Sequence, residues 1–446
     1  MCNLPNKQII LATVLISYFL IILSNSVIFT GIVDIQHELS LSTKTLSWVS
    51  NSYSLTFGGL LLLSGRLSDI FPKKIVFSVG IIIFGITSLL VGIANTGTLL
   101  ILARAVQGIG ASIIAPTSLA LLLDTFDGME RTKAIALYGA TAGIGSSVGL
   151  VLGGLFASLW TWRIGFLINF PLAAVLLVIV FKYVTSKTSK QAISIDYWGS
   201  ILSILAVASL LYAMTADNNQ IIFLIIGVIL LAVFVILESK LKKPIMPLSL
   251  FKDFERTGAF IARFFYMAAM MSFWFYTPQL MQGDLHFAPL WVGFGFFPMT
   301  MVMYIVALKL PELTQKIGNA RILHIGMLLT LIGMIIVCFF QNSFGYWWGI
   351  GVPMLLIGAG QSMSISPLTV SGVIRTRGEE SGAASGLVNA VHQIGGAVGL
   401  AFVALVAGNI NNQVMRYQVS MITATIFVII ALISSFFLIH SNRMRR

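Results

Sequence analysis

Long apolar segments alternate with short polar turns along the whole chain. A helix needs about 20 apolar residues to cross the ~30 Å hydrocarbon layer of a bilayer, and lipid requires each spanning segment to satisfy its own backbone hydrogen bonds. The pattern therefore predicts an all-α membrane protein with fourteen spanning helices. The predicted spans cover approximately residues 9–33, 47–65, 75–94, 98–123, 134–158, 164–184, 197–215, 220–238, 257–281, 290–310, 322–340, 346–371, 382–408 and 418–439.

The positions of lysine and arginine predict the orientation of these spans. If the N-terminus is cytoplasmic, 22 of the 27 basic residues lie on the cytoplasmic side, as the positive-inside rule requires. A shift by one span would reverse this bias, so we expect an even number of spans and two cytoplasmic termini. The net charge of +12 then reflects topology, and we expect no nucleic-acid partner.

Composition narrows the class of protein further. Hydrophobic residues make up 57% of the 446 residues and charged residues only 9%, whereas a soluble domain carries roughly 25% charged residues. The two cysteines have no metal-ligand spacing, and the sequence contains no phosphate-binding Gly-x-x-x-x-Gly-Lys-Ser/Thr loop. We therefore expect a multi-pass cell-membrane protein in the lipid bilayer that is not an enzyme, binds no cofactor or metal and draws its energy from a gradient.

A faint internal repeat indicates two related halves. Residues 64–81 and 310–327 align at an offset of 246, which pairs Leu67 with Leu313 and Gly80 with Gly326. Duplicated halves that rock about a midplane site are common in secondary transporters. The spans then divide into six, a pair and six, within domains 1–190, 191–252 and 253–446.

The turn between the second and third spans carries a recognisable motif, Gly-Arg-Leu-Ser-Asp-Ile-Phe-Pro-Lys-Lys, at residues 65–74. Gly65 allows close helix contact, Asp69 can latch to a neighbouring span, and Lys73 and Lys74 hold the turn inside. The segment resembles the cytoplasmic loop signature of the major facilitator superfamily, with Ile and Pro where that family usually has Arg and Gly.

Further segments resemble the 14-spanning drug:proton antiporters of that superfamily. They include Arg-Ala-Val-Gln-Gly at 104–108, Phe-Leu-Ile-Asn-Phe-Pro at 166–171 and the glycine stripe of the fifth span, which runs from Gly139 to Gly154. The resemblance implies a monomeric exporter of hydrophobic drug-like molecules that is driven by the proton gradient. It also implies that the glycine stripe lets the two halves pack closely and pivot, although packing by small residues alone also explains such a stripe.

Proton coupling needs a titratable group, and the usual one is missing. The resembling pumps carry Asp where this chain has Ser24, and no acid lies in the middle of a predicted span. Ionisable groups inside lipid are functional candidates, so we predict Asp34 as the proton carrier, with Arg104 at a similar depth. Glu38 and His392 are further candidates. Asp34 is alternatively a solvated rim acid, and His392 a neutral histidine in the packing.

Aromatic and methionine side chains are dense in the ninth and tenth spans, and such side chains adapt to varied ligand shapes. Alternatively, they face lipid or pack. The predicted substrate-binding residues are Asn25, Tyr53, Gln107, Asn169, Trp274, Tyr276, Gln279, Phe297, Met301, Gln361 and Asn389. We expect small amphiphilic substrates that are zwitterionic, neutral or monocationic, such as fluoroquinolones, dyes or antiseptics. Transport of one endogenous metabolite or lipid, by export or import, is the alternative.

Overall fold

A computed structural model describes residues 4–184, 196–216, 218–241, 244–340, 342–376 and 378–439, and every regular element within these ranges is a helix. Some side chains inside helices, including that of Asp69, lie outside the described part. The α-helices are α1 Leu4–Glu38, α2 Thr43–Ile70, α3 Lys73–Gly92, α4 Gly97–Thr125, α5 Gly128–Leu159, α6 Ile164–Leu167, α7 Asn169–Tyr183, α8 Tyr197–Thr215, α9 Gln220–Lys240, α10 Phe254–Gly283, α11 Pro289–Gly295, α12 Phe297–Ile317, α13 Asn319–Cys338, α14 Val352–Gly372, α15 Gly378–Ala407 and α16 Gln413–Leu438.

Twelve helical segments of the described chain are long and apolar enough to cross a membrane. Three of them are composite, because α6 continues into α7, α11 into α12, and a π-helical turn at Trp347–Gly351 into α14. The predicted second and fifth spans are helices α2 and α5, of 28 and 32 residues, which are not among the twelve. Helix α2 is less apolar because it buries a polar face that includes Ser47, Ser50, Asn51 and Ser54.

The helices form two groups with an inserted pair beside them. In the first group α2 packs on α4 and α1 on α5, and in the second α10 packs on α15 and α16. Helices α8 and α9 pack on each other, and α8 also contacts α2 and α15. The predicted domain boundary at 190–191 lies outside the described residues.

The two groups contact each other tightly at one end of the bundle, which we call the closed end. There the Gln282 Nε2 donates to the Thr30 carbonyl oxygen at 3.0 Å. The Leu290 backbone N–H donates to the Ser158 hydroxyl at 2.9 Å. At the opposite, open end a cavity between the groups reaches the last turns of α2 and α4, while α2 remains packed against α15.

The glycine stripe of α5 explains the close packing at the closed end. A Cβ added to Gly149 or Gly153 would lie within 2.8 Å of α1 atoms, and one added to Gly154 would lie 2.4 Å from the Pro289 carbonyl oxygen of α11. Gly139, near the other end of α5, has nothing within 4 Å of such a Cβ. The stripe thus supports helix contacts within the first group and, at Gly154, between the two groups.

Candidate substrate cavity

The cavity between the two groups has a volume of about 1700 Å³. It exceeds the roughly 300–1,000 Å³ of typical drug-sized sites, so a drug-sized molecule and water fit together. Most of its wall is apolar, with rings and thioethers contributed by both groups of helices. These include Tyr18, Phe29, Phe57, Tyr138, Met267, Met271, Trp274, Phe297, Met301, Met303 and Tyr304.

The closed-end side of the cavity is built from stacked aromatic rings. Trp274 of α10 stacks on Phe296 with ring centroids 4.9 Å apart, and it meets Phe29 of α1 at 6.1 Å. The Phe29–Trp274 contact joins the two groups. Planar aromatic ligands match this surface, because offset-stacked rings attract each other.

Six of the eleven predicted substrate-binding residues line the cavity: Asn25, Trp274, Phe297, Met301, Gln361 and Asn389. Gln361 is 6% exposed, and its Oε1 has no hydrogen-bond donor among the described residues. An unpaired buried amide oxygen costs free energy, so a ligand donor would stabilise it.

The other five predicted residues do not line the cavity. Tyr276 and Gln279 are buried at the closed end, 2% and 3% exposed, and the Gln279 carbonyl oxygen accepts a 2.5 Å hydrogen bond from the Gln413 Nε2. Both residues lie on the face of α10 that packs against α16, behind the stacked rings. Tyr53, Gln107 and Asn169 are fully buried among the helices of the first group.

Those three residues belong to a polar network centred on Arg104, which is fully buried. Its Nη1 donates to the Gln107 Oε1 at 2.6 Å, its Nη2 to the Asn25 Oδ1 at 3.3 Å and its Nε to the Val49 carbonyl oxygen at 3.1 Å. The guanidinium also lies 4.1 Å from the centre of the Tyr53 ring, a cation–π distance. Arg104 is therefore held by neutral groups among the described residues.

Ser24 lies at the heart of the same network. Its Oγ is 3.2 Å from both the Gln107 Nε2 and the Asn169 Nδ2, so two amide groups donate to one hydroxyl oxygen. The Gln107 Nε2 also donates to the Ser88 Oγ at 2.7 Å. The pumps that this chain resembles carry Asp at this position. Here two donors that suit an anion surround a neutral hydroxyl oxygen.

The structure does not bring Asp34 and Arg104 together, contrary to the prediction that they lie at a similar depth. Arg104 meets α1 at Asn25, nine residues before Asp34, which is about 13 Å along a helix. Asp34 is half-buried near the closed end of α1 and makes no hydrogen bond or ion pair with any described residue. Its proton-carrier role remains a prediction.

Glu38 occupies a fixed position at the end of α1. Its carboxylate accepts from the Arg163 Nη2 at 2.6 Å and from the Trp162 Nε1 at 2.7 Å, and Arg163 also donates to the carbonyl oxygens of Gly92 and Ala94. These contacts connect α1, α3 and α6 within the first group. They make Glu38 a structural anchor and a less suitable proton carrier than Asp34.

His392 lines the cavity on α15, where its Nδ1 lies 3.0 Å from the Nη2 of Arg263. An arginine can only donate hydrogen bonds, so the Nδ1 must accept and the ring N–H must be on Nε2. A protonated His392 would direct an N–H at the guanidinium. The geometry therefore favours the neutral histidine that the sequence left open as an alternative.

The predicted latch residues make contacts within the first group. Lys73 pairs with Asp124 at 2.6 Å, and the Lys74 Nζ donates to the Phe181 carbonyl oxygen at 2.7 Å. Gly65 has nothing within 4 Å of an added Cβ, so this structure shows no close helix contact there among the described residues, and its latch role stays a prediction. The side chain of Asp69 lies outside the described residues.

The charged residues of the cavity wall are basic. Arg66 near the open end and Arg263 deeper inside line it, and no Asp or Glu is found among the described lining residues. The sequence analysis did not name Arg263 as a site residue, although it lies within the predicted span 257–281. The rule that any charged residue inside a span marks a functional site would have identified it. No group of three or more His, Cys, Asp or Glu that could hold a metal occurs in the described part of the chain.

Comparison with known proteins identifies the family. The sequence profile of the Major Facilitator Superfamily matches residues 14–400. The chain is 30% identical over 407 residues to the puromycin resistance protein pur8 of Streptomyces alboniger, which covers 89% of this chain and 81% of that protein. It is 28% identical over 384 residues to the multidrug transporter protein MdtP of Bacillus subtilis, which covers 82% and 71%.

Solved structures share the fold at low sequence identity. The nucleoside transporter NupG aligns with a TM-score of 0.71 at 12% identity, over 98% of this chain and all of that one. A bacterial homologue of the human lysosomal transporter Spinster, solved in an inward-facing, unoccupied conformation, gives 0.68 at 15% identity over 98% and 97%. With two helical groups around a central cavity and a profile match over most of its length, the chain belongs to the major facilitator superfamily of multi-pass membrane transporters.

Proposed function

We propose that this protein is a proton-coupled antiporter that exports amphiphilic drug-like molecules across the cell membrane by alternating access. The observation that carries the proposal is the cavity of about 1700 Å³, closed at one end by contacts between the two groups and open at the other. Relatives named for antibiotic resistance and multidrug transport support the substrate class.

The proposal includes a topology. The two groups correspond to six-helix halves at 1–190 and 253–446, joined by the inserted pair at 191–252, with fourteen spans, cytoplasmic termini and a monomeric state. Basic residues at the open end, such as Lys73 and Arg66, support a cytoplasmic location of that end under the positive-inside rule. The structure then represents an inward-facing state that takes up substrate from the cytoplasm or the inner leaflet.

The cavity wall supports broad specificity for flat, apolar molecules. Flexible thioethers from Met267, Met271, Met301 and Met303 adapt to different shapes, and the Phe29–Trp274 contact offers an aromatic surface. Polar groups form the smaller part of this wall, and Gln361 contributes an acceptor that has no donor among the described residues. A wall of this type binds amphiphiles more readily than strongly hydrated polar metabolites.

Proton coupling is assigned to Asp34 as the acid of α1 that makes no hydrogen bond or ion pair with any described residue. A membrane potential supplies about 2.3 kcal/mol per charge per 100 mV, so one proton at ~150 mV yields roughly 3.5 kcal/mol. That energy sustains a substrate gradient of about 2.5 decades. One carboxylate that alternates between the two sides is therefore sufficient for useful export.

Purified protein in liposomes that contain a pH-sensitive dye tests this function. Addition of norfloxacin or ethidium should evoke proton movement in the wild type, and Asp34→Asn should abolish it while drug binding remains. Proton movement that persists in Asp34→Asn would transfer the carrier role to another group. If neither drug nor any related amphiphile evokes proton movement in the wild type, multidrug antiport is refuted and a dedicated metabolite or lipid carrier is favoured.

A further inference from the structure

A positive charge is built into the wall of the cavity at Arg263 of α10. The side chain is 5% exposed and lines the cavity. Its Nη1 donates to the Ile365 carbonyl oxygen at 2.9 Å and to the Thr369 Oγ1 at 2.7 Å, and its Nη2 is 3.0 Å from the His392 Nδ1. Three neutral acceptors on α14 and α15 therefore hold the guanidinium in one position.

This charge has no acidic partner among the described residues. Its Nε is buried without an acceptor among the described residues, and because a guanidinium has five N–H donors, one N–H of Nη2 also has no acceptor there. A buried cation without a counter-charge costs free energy. A charged group of this kind inside a span therefore indicates a function. The described wall contains no Asp or Glu, and an acidic group of a bound ligand would supply a counter-charge.

His392 adds a second donor beside the guanidinium. Because its Nδ1 accepts from Arg263, the neutral ring has its N–H on Nε2, which has no partner among the described residues. Asn389 and Gln361, each about one helical turn from these contacts on α15 and α14, also line the cavity. The site thus combines one fixed cation with nearby hydrogen-bond donors.

We infer that Arg263 and His392 form a subsite that binds the carboxylate of acidic or zwitterionic amphiphilic substrates. This inference rests on the proposed function and specifies which part of the cavity recognises charge. The carboxylate takes the place of the missing counter-charge, while the aromatic body of the substrate contacts the Trp274 side of the cavity. Substrates without a carboxylate use only the apolar wall.

Equilibrium binding to purified protein in detergent tests the subsite without requiring transport. Isothermal titration calorimetry would compare norfloxacin, its methyl ester, which lacks the carboxylate, and the cation ethidium. A charge-assisted hydrogen bond to a buried group changes affinity by roughly 10- to 100-fold. We expect the wild type to bind norfloxacin by about that factor more tightly than the ester.

Three variants at the subsite separate recognition from structural damage. Arg263→Gln should weaken norfloxacin binding by about 10- to 100-fold and leave the ester and ethidium within about twofold, and Arg263→Lys should retain part of the preference. His392→Asn keeps an acceptor for Arg263 but loses the Nε2–H, so a smaller, acid-selective loss is expected. Arg66→Gln is the matched control, because it removes a cavity arginine near the open end and should preserve the preference.

Each outcome decides the inference. Equal affinity of the wild type for norfloxacin and its ester overturns it, as does an equal loss for all three ligands in Arg263→Gln, which would indicate a structural arginine. A preference lost equally in Arg66→Gln would indicate general electrostatic attraction and would also overturn it. If ethidium evokes proton movement in liposomes but norfloxacin and its ester bind equally tightly, the subsite is wrong and the proposed antiport stands. If none of the three ligands binds, both the subsite and the antiport are refuted.

Discussion

The contact between α5 and α11 at the closed end is made by backbone atoms, and Gly154→Ala should disturb it selectively. A Cβ at this position would lie 2.4 Å from the Pro289 carbonyl oxygen and 2.9 Å from the Leu290 Cα. Neither atom belongs to a side chain that could rotate away. The methyl group therefore penalises the state in which the closed end is sealed and leaves a state with that end apart unaffected.

The size of the effect follows from the cost of overpacking. Extra methyl or methylene groups in a well-packed interface cost about 1–3 kcal/mol, which corresponds to a population shift of about 5- to 150-fold. Gly139→Ala is the matched control on the same helix, because an added Cβ there meets nothing within 4 Å. Both substitutions raise helix propensity by about 1 kcal/mol, so their difference isolates the contact with α11.

Spin labels across the open end can measure this shift. Labels at Leu123 of α4 and Leu308 of α12, which line the cavity from opposite groups, would report the width of the opening by pulsed electron paramagnetic resonance. The variant Gly154→Ala should move population toward short distances, whereas Gly139→Ala should match the parent protein. An unchanged distance distribution in Gly154→Ala, or an equal change in both variants, would refute the argument.

Three further substitutions test the first group of helices. Glu38→Gln removes a partly exposed ion pair with Arg163 and should lower stability by only about 1 kcal/mol in thermal unfolding; complete loss of proton movement would show a coupling role instead. Ser24→Asp places a carboxylate where Gln107 already donates and should raise the measured proton:drug ratio; an unchanged ratio would count against a titratable site there. Arg104→Met leaves several buried acceptors unpaired and should cost about 2–3 kcal/mol in chemical denaturation; a neutral effect would show that the network is dispensable.

Helix positions were predictable because lipid imposes a simple rule on them. The predicted span 197–215 coincides with α8, and the span 220–238 ends two residues before α9 does. These helices face outward over much of their surface, so hydropathy alone marks their ends. Helix α2 shows the limit of the rule, since its buried serines lower its hydropathy although it packs at the centre of the bundle.

Side-chain relationships between helices were less predictable. The sequence predicted Arg104 at a depth similar to that of Asp34, but its Nη2 donates to Asn25, nine residues earlier in α1. The polar residues Gln107 and Asn169 were predicted to contact substrate, yet they bond to Ser24 and do not line the cavity. Such pairings depend on how the helices cross. The residue pattern of a single helix does not predict the crossing.

The inserted pair α8 and α9 makes the contacts on the two sides of the bundle different. Helix α8 covers the line where α2 meets α15, and Leu55, Leu211, Ala397 and Ala401 form an apolar cluster there. The Trp48 Nε1 also donates to the Thr215 Oγ1 at 2.7 Å. On the opposite side the contact between the groups is concentrated where α5 meets α11, near the closed end. The contacts between the two groups therefore differ on the two sides of the bundle, and on the α2–α15 side the inserted pair covers them.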